Sequence, residues 1–330
     1  GGGLLPADSQ GRRTPVTATR GATITTLITG SNGFLGQKIG SSLIAAGRQV
    51  IGFDATEHTG KDAFPTVIAD IRDRDALLRC FVEHGVTSIV HGGGVSGPHV
   101  ANERPAYLHE VNVGGTLNLF EIAREIELPG RIVFLSSSST YGQAAEAASI
   151  THPCAETQAL LASEPYGASK VECEALLRSY VSQFGVDAVA LRISIVYGKN
   201  RQTYCGITRM ITEARTSGTI TLDRDNTLPL PWIYVDDLSA AIAAALAAPR
   251  DVLYNQGTYA FNITGPGRPT FAEIAEIVAS RIPGTTIGHG NEPDRYAMNA
   301  RTMSITAAAE LLDWHPLIGI ESGIAKLLAG

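Results

Sequence analysis

The chain has 330 residues, 44% hydrophobic and 18% charged, with a formal net charge of −6. That length fills one or two full-sized cores, and mild acidity without any Lys/Arg run argues against a nucleic-acid binder. No apolar stretch spans a bilayer, the Ala-rich segment 238–248 being too short, and Cys80, Cys154, Cys173 and Cys205 have no paired spacing, which points to a reduced, cytoplasmic protein with no metal site.

Residues 1–21 are expected to form a disordered leader outside the fold, because they lack the apolar h-region of a secretory signal. The β-branched run Ile24 to Thr29 then predicts a strand. Glycines follow at 30, 33 and 36, and the apolar spacing of Phe34, Leu35, Ile39, Leu43 and Ile44 predicts a helix. Strand, glycine turn and helix make the entry to a mononucleotide-binding unit. Gly30 allows the sharp turn, Gly33 admits a pyrophosphate to the backbone, and Gly36 lets the helix pack tightly. The helix N-terminus offers free N–H groups to phosphates. A second strand, Gln49 to Phe53, ends at Asp54. An acidic residue about 20 positions beyond the glycines holds the adenosine ribose and repels a 2′-phosphate, which favours NAD over NADP. A Walker-type loop is excluded, since Lys38 neither follows Gly36 directly nor precedes Ser or Thr.

The alternation continues. Thr66–Ala69 reads as a strand ending at Asp70, Asp73 caps a helix through Phe81, and Ser88–His91 is a strand running into Gly92-Gly93-Gly94. A His-Gly-Gly-Gly run also occurs in esterase oxyanion loops, but that mechanism needs a Gly-x-Ser-x-Gly elbow, which this chain lacks. The same glycines suit a strand end passing close to a bound cofactor. A long helix is expected over about 105–127, a strand over 131–135 ending in serines 136–139, a second long helix over 157–184 and a strand over 188–192. Such alternation predicts an α/β fold, a doubly wound (Rossmann) parallel sheet with helices on both faces. Beyond Tyr197 the rhythm loosens into a smaller, mixed C-terminal substrate domain. The expected partition is 22–192 for the nucleotide domain, with 232–262 returning to it, and 193–231 plus 263–330 for the substrate domain.

Within the second long helix, Tyr166 and Lys170 stand at i and i+4 and share a face. An ammonium beside a phenol favours the phenolate and lowers its pKa. A phenol so tuned serves as general acid or base on a secondary alcohol or ketone.

Several stretches together carry a family likeness: Thr29 to Gly36, Asp70-Ile71, Val111-Asn112-Val113-Gly114-Gly115-Thr116, Phe134-Leu135-Ser136-Ser137, Thr140-Tyr141-Gly142 and Tyr166-Gly167-Ala168-Ser169-Lys170. The likeness continues through Leu191-Arg192, Val196-Tyr197-Gly198, Ile233-Tyr234-Val235-Asp236-Asp237, Ala260 to Ile263 and Leu312 to Pro316. In this order the chain resembles an extended short-chain dehydrogenase/reductase of the NAD-dependent epimerase/dehydratase family, over about residues 23–328.

The resemblance implies Tyr166 as acid/base, Lys170 as its tuner and nicotinamide-ribose ligand, and Ser137 as the holder of the reacting oxygen. For NAD it implies Gly30, Asn32, Gly33, Phe34, Leu35 and Gly36 around the pyrophosphate and Asp54 at the ribose. Asp70 and Ile71 would flank the adenine, Gly92, Gly93 and Gly94 would line the cofactor path, and Asn112 and Ser136 would lie nearby. His91 is expected to be a packed strand-end residue. The helices near 105–127 and 157–184 would form a homodimer interface.

Two places depart from relatives that act on nucleotide sugars. Ile195 stands where those enzymes often have Asn, and Leu230-Pro231 precedes Trp232 where they often have Arg-Asp. Pro231 cannot grip a diphosphate as an Arg does; Arg201, Arg209, Arg215 and Arg224 are the alternative cations. Ser139, Arg201, Tyr204, Arg209 and Trp232 are the expected substrate contacts. The leading expectation is NAD-dependent hydride transfer on a sugar-like, polyhydroxylated substrate. Its rivals are a nucleotide-sugar 4-epimerase and a non-catalytic NAD-binding regulatory protein.

Overall fold

A computed structural model of the chain describes residues 24–58, 63–95, 103–142, 152–224, 228–255, 257–293 and 301–329. The expected leader, residues 1–21, lies outside them. Seven strands build the central sheet: β1 (Thr25–Thr29), β2 (Gln49–Asp54), β3 (Thr66–Ile68), β4 (Val86–His91), β5 (Ile132–Ser137), β6 (Ala188–Ile193) and β10 (Ala260–Ile263). Their order is β10-β6-β5-β4-β1-β2-β3, and every pairing is parallel. Chain order reverses between β1 and β4, the switch point where ligands of doubly wound sheets bind beyond the carboxyl ends. Thr29 pairs with both Phe53 and His91, and Ser137 pairs with Ile193, so the functional strand ends lie along one edge.

Successive strand residues feed opposite cores, as the period of two requires. Leu27 joins Leu77, Phe81, Phe120 and Leu177 on the face covered by helices α2 (Arg74–Glu83), α4 (Gly115–Glu125) and α5 (Pro165–Phe184). Ile28 joins Ile39, Leu43, Leu238 and Ile242 on the face covered by α1 (Phe34–Ala45) and α7 (Val235–Ala247). β1 is buried on both faces along its whole length, its apolar Leu27 and Ile28 flanked by β-branched threonines.

Both long helices differ from their expected spans. The first is α3 (Pro105–His109), a π-helical turn over Glu110–Gly114, and then α4. The second begins only at Pro165. The proline ring disfavours a helical residue before it, and Glu164 is accordingly extended (φ −143°, ψ 157°) and acts as N-cap.

After β6 come β7 (Ile195–Tyr197), α6 (Gly206–Thr216), β8 (Thr219–Arg224), β9 (Trp232–Tyr234), α7 and α8 (Arg250–Asn255). Past β10 follow α9 (Phe271–Arg281), β11 (Thr286–Pro293), α10 (Thr306–Leu312) and α11 (Ile320–Leu328). Two-stranded pairs β7–β9 and β8–β11 share a separate apolar core built on Ile207, Met210, Trp232, Phe271 and Ile324. Ala308, Leu312 and Trp314, expected in the substrate domain, pack instead on the sheet beside α7.

Asp237 ties this C-terminal stretch down. Its carboxylate accepts from the backbone N–H of Leu317 (3.1 Å) and Ile318 (2.8 Å), and its carbonyl accepts from Trp314 Nε1 (3.1 Å). Asp237→Ala leaves those two amides without their charged acceptor, at a cost of about 2–3 kcal/mol. The expected result is a lowered urea midpoint and faster proteolysis after residue 314; an unchanged midpoint would refute the role.

Candidate active site

The glycine turn is built by close backbone approach. Gly30 has φ +70°, in the left-handed region, and a Cβ there would lie 2.9 Å from the Gly92 carbonyl oxygen. A Cβ on Gly36 would lie 2.3 Å from the Gly30 carbonyl and 2.5 Å from Ser31 Cα. The first turn of α1 therefore stacks directly on the loop. Gly33 caps α1 without any side-chain hydrogen bond, and no acidic residue occupies the first turn. An uncapped, uncompensated helix start suits a pyrophosphate. Phe34 and Leu35 are half-buried and lean toward the smaller core.

Asp54 closes the turn from the end of β2. It accepts from Asn32 N at 2.9 Å through one oxygen, and from Thr56 N and Oγ1 at 3.0 Å through the other. Asn32 Nδ2 donates to the Thr56 carbonyl at 2.6 Å. Asp70 is engaged by Arg72, whose Nε and terminal nitrogen reach its two oxygens at 3.0 and 2.7 Å, and this partner holds its carboxyl below the usual range. The Ile71 side chain is spent in the core against Gly115 rather than left open to a cofactor.

Across the switch point, Gly92 N donates to the Thr29 carbonyl (3.2 Å) and Gly93 N to Thr29 Oγ1 (2.9 Å). Gly94 has φ +150°, and Asn112 Oδ1 lies 2.5 Å from where its Cβ would be. Asn112 sits in the π turn. Its amide accepts from Val95 N (2.8 Å) and donates to the Val95 carbonyl (3.1 Å) and to Ser169 Oγ (3.0 Å). It thus joins the β4 loop to the helix that carries Tyr166.

His91 is fully buried between two threonines. Thr116 Oγ1 gives its proton to the Asn112 carbonyl (2.5 Å) and so accepts from His91 Nε2–H at 2.9 Å. Nδ1 of the neutral ring is then the acceptor, and Thr29 Oγ1 donates to it at 2.6 Å while accepting from Gly93 N. The ring is neutral, with every polar atom satisfied.

The candidate reactive groups stand on β5 and α5. Ser137 Oγ accepts from Ser139 N (3.1 Å), capping a short turn over Ser138–Tyr141, and Ser137 lies on the side of the Tyr166 phenol where it favours the phenolate. Lys170 Nζ donates to the Leu135 carbonyl (2.8 Å), 4.7 Å from the Phe134 ring centre and 5.7 Å from that of Tyr166. The expected lowering of the phenol pKa is not met in the chain alone. Burial pushes Tyr166 up to about 12, with Ser137 partly opposing, and burial also lowers Lys170. Lys170 is anchored to the strand carbonyl, beneath the phenol ring.

Several expected contacts lie elsewhere. Ser136 donates to Glu174 at 2.5 Å, facing the buried side of β5 rather than the cofactor path. Arg209 is consumed by Glu213 (3.2 Å), Asp223 (3.3 Å) and the Thr221 carbonyl (3.0 Å). Trp232 is core, edge-on to Tyr197 and Phe271. Arg215 reaches the Leu328 carbonyl, and the Arg224 side chain lies outside the described residues. Arg201 folds back onto the Val196 carbonyl and Thr203, Tyr204 lies at the surface, and Ser139 is buried against the first turn of α5. Sequence reasoning missed Glu164 and the buried Glu174–Arg192 pair. Glu174 carried a signal, four residues past Lys170 on the same helix face. Among the described residues no group of three His, Cys, Asp or Glu side chains could hold a metal.

A seven-stranded parallel sheet, an uncapped glycine turn at its switch point and a Ser–Tyr–Lys set on the same edge define a dinucleotide-dependent oxidoreductase or isomerase. The chain matches the model of the NAD dependent epimerase/dehydratase family over residues 26–263, and belongs to that family. It is 26% identical to the UDP-glucuronate 4-epimerase of Thermodesulfobacterium geofontis over 323 residues, 91% of this chain and 94% of that one. Over 145 residues, 41% of this chain and 54% of the relative, it is 34% identical to the L-arabinose 1-dehydrogenase (NAD(P)(+)) of Haloferax volcanii. Among solved structures it is similar to the Thermus thermophilus UDP-glucose 4-epimerase in complex with NAD, at 25% identity and a TM-score of 0.80, covering 93% of this chain and 100% of that one.

Burial and the nearby Lys170 push the His91 imidazole from 6.5 down to about 3. Between those values the unfolded chain binds more protons than the folded one. Stability is therefore complete above about pH 6.5 and falls with pH below it, by roughly 1.4 kcal/mol per unit from this group. His91→Gln is expected to flatten that acid limb in urea unfolding measured from pH 7 to about pH 4. An acid limb as steep as wild type would refute the assignment.

Proposed function

We propose that the chain transfers a hydride at a secondary alcohol or ketone carbon of a sugar-like, polyhydroxylated substrate, with Tyr166 as general acid/base. The observation that carries this reading is the Tyr166 phenol at the start of α5 with Lys170 one turn on, anchored below its ring, and Ser137 at the end of β5, on the edge where the glycine turn opens. Gly30, Gly33, Gly36 and the start of α1 would hold the NAD pyrophosphate, and Asp54 the adenosine ribose. NAD supplies the hydride acceptor and donor when bound. Ser137 orients the reacting oxygen, Tyr166 takes or gives its proton, and Lys170 keeps a positive charge below the ring. The helix that carries Tyr166 and Lys170, α5, and its neighbours α3 and α4 expose Leu117 and Phe184 and would supply a homodimer interface. No helix among the described residues is long and apolar enough to cross a membrane.

A nucleotide-sugar 4-epimerase is the second reading, favoured by the near full-length likeness to a UDP-glucuronate 4-epimerase. The free-sugar reading is supported by Leu230-Pro231, which offers no cation, and by the partial likeness to a sugar dehydrogenase. Incubation with free sugars, sugar acids, polyols and UDP- or dTDP-sugars separates them. NADH accumulating at 340 nm marks a dehydrogenase. An inverted carbon without net NADH marks an epimerase, and no turnover on any substrate sinks both.

Tyr166→Phe should lower turnover by about 10²–10⁴-fold while NAD binding, followed by fluorescence, stays near wild type. A retained rate would remove Tyr166 from the chemistry. Asp54→Ala should narrow the preference for NAD over NADP in kcat/KM, since the carboxylate that repels a 2′-phosphate is gone; an unchanged ratio would count against that role.

A further inference from the structure

The N-cap of the catalytic helix is a carboxylate. Glu164 accepts from Tyr166 N at 2.9 Å with one oxygen and from Gly167 N at 2.7 Å with the other. Its extended backbone is ordinary for a cap. A Cβ on Gly167 would lie 2.8 Å from Glu164 Oε1 and 2.7 Å from the Ser139 carbonyl. The charge is therefore packed where the first turn of α5 meets the turn that Ser137 caps.

Tyr166 is the second residue of α5, and its amide is one of the orphan donors of a helix start. That end of a helix carries about half a positive elementary charge, which by itself favours a phenolate. A serine or asparagine cap would satisfy one of these amides and leave that field in place. The glutamate cap satisfies both and opposes the field.

We propose that Glu164 is a positioning residue with an electrostatic role, in which its carboxylate cancels the helix N-terminus beside Tyr166 and keeps the phenol protonated in the resting site. The proposal rests on Tyr166 being the acid/base. With this cap the resting enzyme presents a proton donor, and the base form is drawn out only by positive charge brought to the site.

The surroundings agree. Burial is the largest cause of the high phenol pKa, opposed by Ser137 of β5, and the Glu164 charge acts with burial, Cys173 adding to it. On α5, Lys170 lies below the ring, and Glu174 is neutralised by Arg192 of β6. His91 of β4, the titratable group facing Lys170, is neutral at working pH. Glu164 has no ion pair among the described residues.

The test is a ¹³C NMR titration of the NAD⁺-bound enzyme labelled at tyrosine Cζ, with the Tyr166 resonance assigned from Tyr166→Phe. Glu164→Ser and Glu164→Gln should lower the Tyr166 midpoint by about half a unit, roughly a threefold gain in phenolate one unit below it. Glu164→Asp keeps charge and cap and should titrate with wild type. Melting separates the two roles. Glu164→Ser, which retains a capping oxygen, should melt near wild type, and Glu164→Ala lower. A Glu164→Ser midpoint superimposed on wild type overturns the proposal, as does a Glu164→Asp midpoint that moves as far as that of Glu164→Ser. Turnover retained in Tyr166→Phe would instead overturn the acid/base reading, so the two failures are distinguishable.

Discussion

The placement of the catalytic helix depends on one buried ion pair. Glu174 on α5 and Arg192 on β6 are both sequestered from water, with Arg192 Nε 3.1 Å from each carboxylate oxygen and a terminal nitrogen at 2.7 Å. Ser136 Oγ supplies a further donor to Glu174, and the other Arg192 terminal nitrogen donates to Tyr141 Oη and the Glu156 carbonyl, each at 2.9 Å. Tyr141 Oη continues to Asn262 Oδ1 at 2.7 Å, and the Asn262 amide reaches the carbonyls of Cys154 and Ser304. A buried pair adds little net stability over an apolar replacement, but loss of one partner costs about 3–5 kcal/mol. Its effect here is registry. One turn of α5 is fixed against β5, β6 and β10 together, and Lys170, the turn before, is fixed with it.

The same edge is set on its other side by backbone contacts that only glycine allows. Gly30 and Gly36 bring the start of α1 onto the end of β1, and Gly94 makes room for the Asn112 amide. Asn112 is presented by a π-helical turn. Single π turns inside helices mark functional sites because the extra residue re-aims one side chain. Here that side chain binds both the β4 loop and Ser169, three residues past Tyr166. The cofactor path and the catalytic helix are thus held by one amide, and a disturbance on either side reaches the other.

The sheet and the glycine turn were legible because they rest on local signals: β-branched runs, helical spacing, and glycines at positions with one backbone solution. Tyr166 and Lys170 were legible as a spacing on one helix. The smaller unit was not. Trp232 and Arg209 look like pocket residues in sequence, since an aromatic and an arginine carry recognition chemistry. Only packing shows that Trp232 fills a core with Phe271 and that Arg209 is neutralised by Glu213 and Asp223. The start of α5 was misplaced because the apolar pattern runs on past Pro165 toward the N-terminus, whereas the proline decides the boundary. The expected lowering of the tyrosine pKa counts on the positive nicotinamide as well as the lysine, and in the chain alone the shift runs the other way. A spacing of four places the lysine on the same helix face, but its Nζ is claimed by the Leu135 carbonyl, and burial then outweighs attraction.

Burial has the same direction of effect on both reactive groups, since it disfavours the phenolate and the ammonium alike. Charge on the buried Lys170 must therefore be stabilised by partners rather than by water. Lys170 has the Leu135 carbonyl and, more distantly, Glu174, whose charge raises its proton affinity while Arg192 limits that help. Tyr166 has Ser137 favouring its phenolate and a carboxylate at its helix start working against ionisation. The chain alone thus holds a neutral phenol over a lysine whose charge burial opposes. On the proposed acid/base reading, a positive charge entering beside the phenol would lower its pKa, and proton transfer to or from a substrate hydroxyl would be conditional on a filled site.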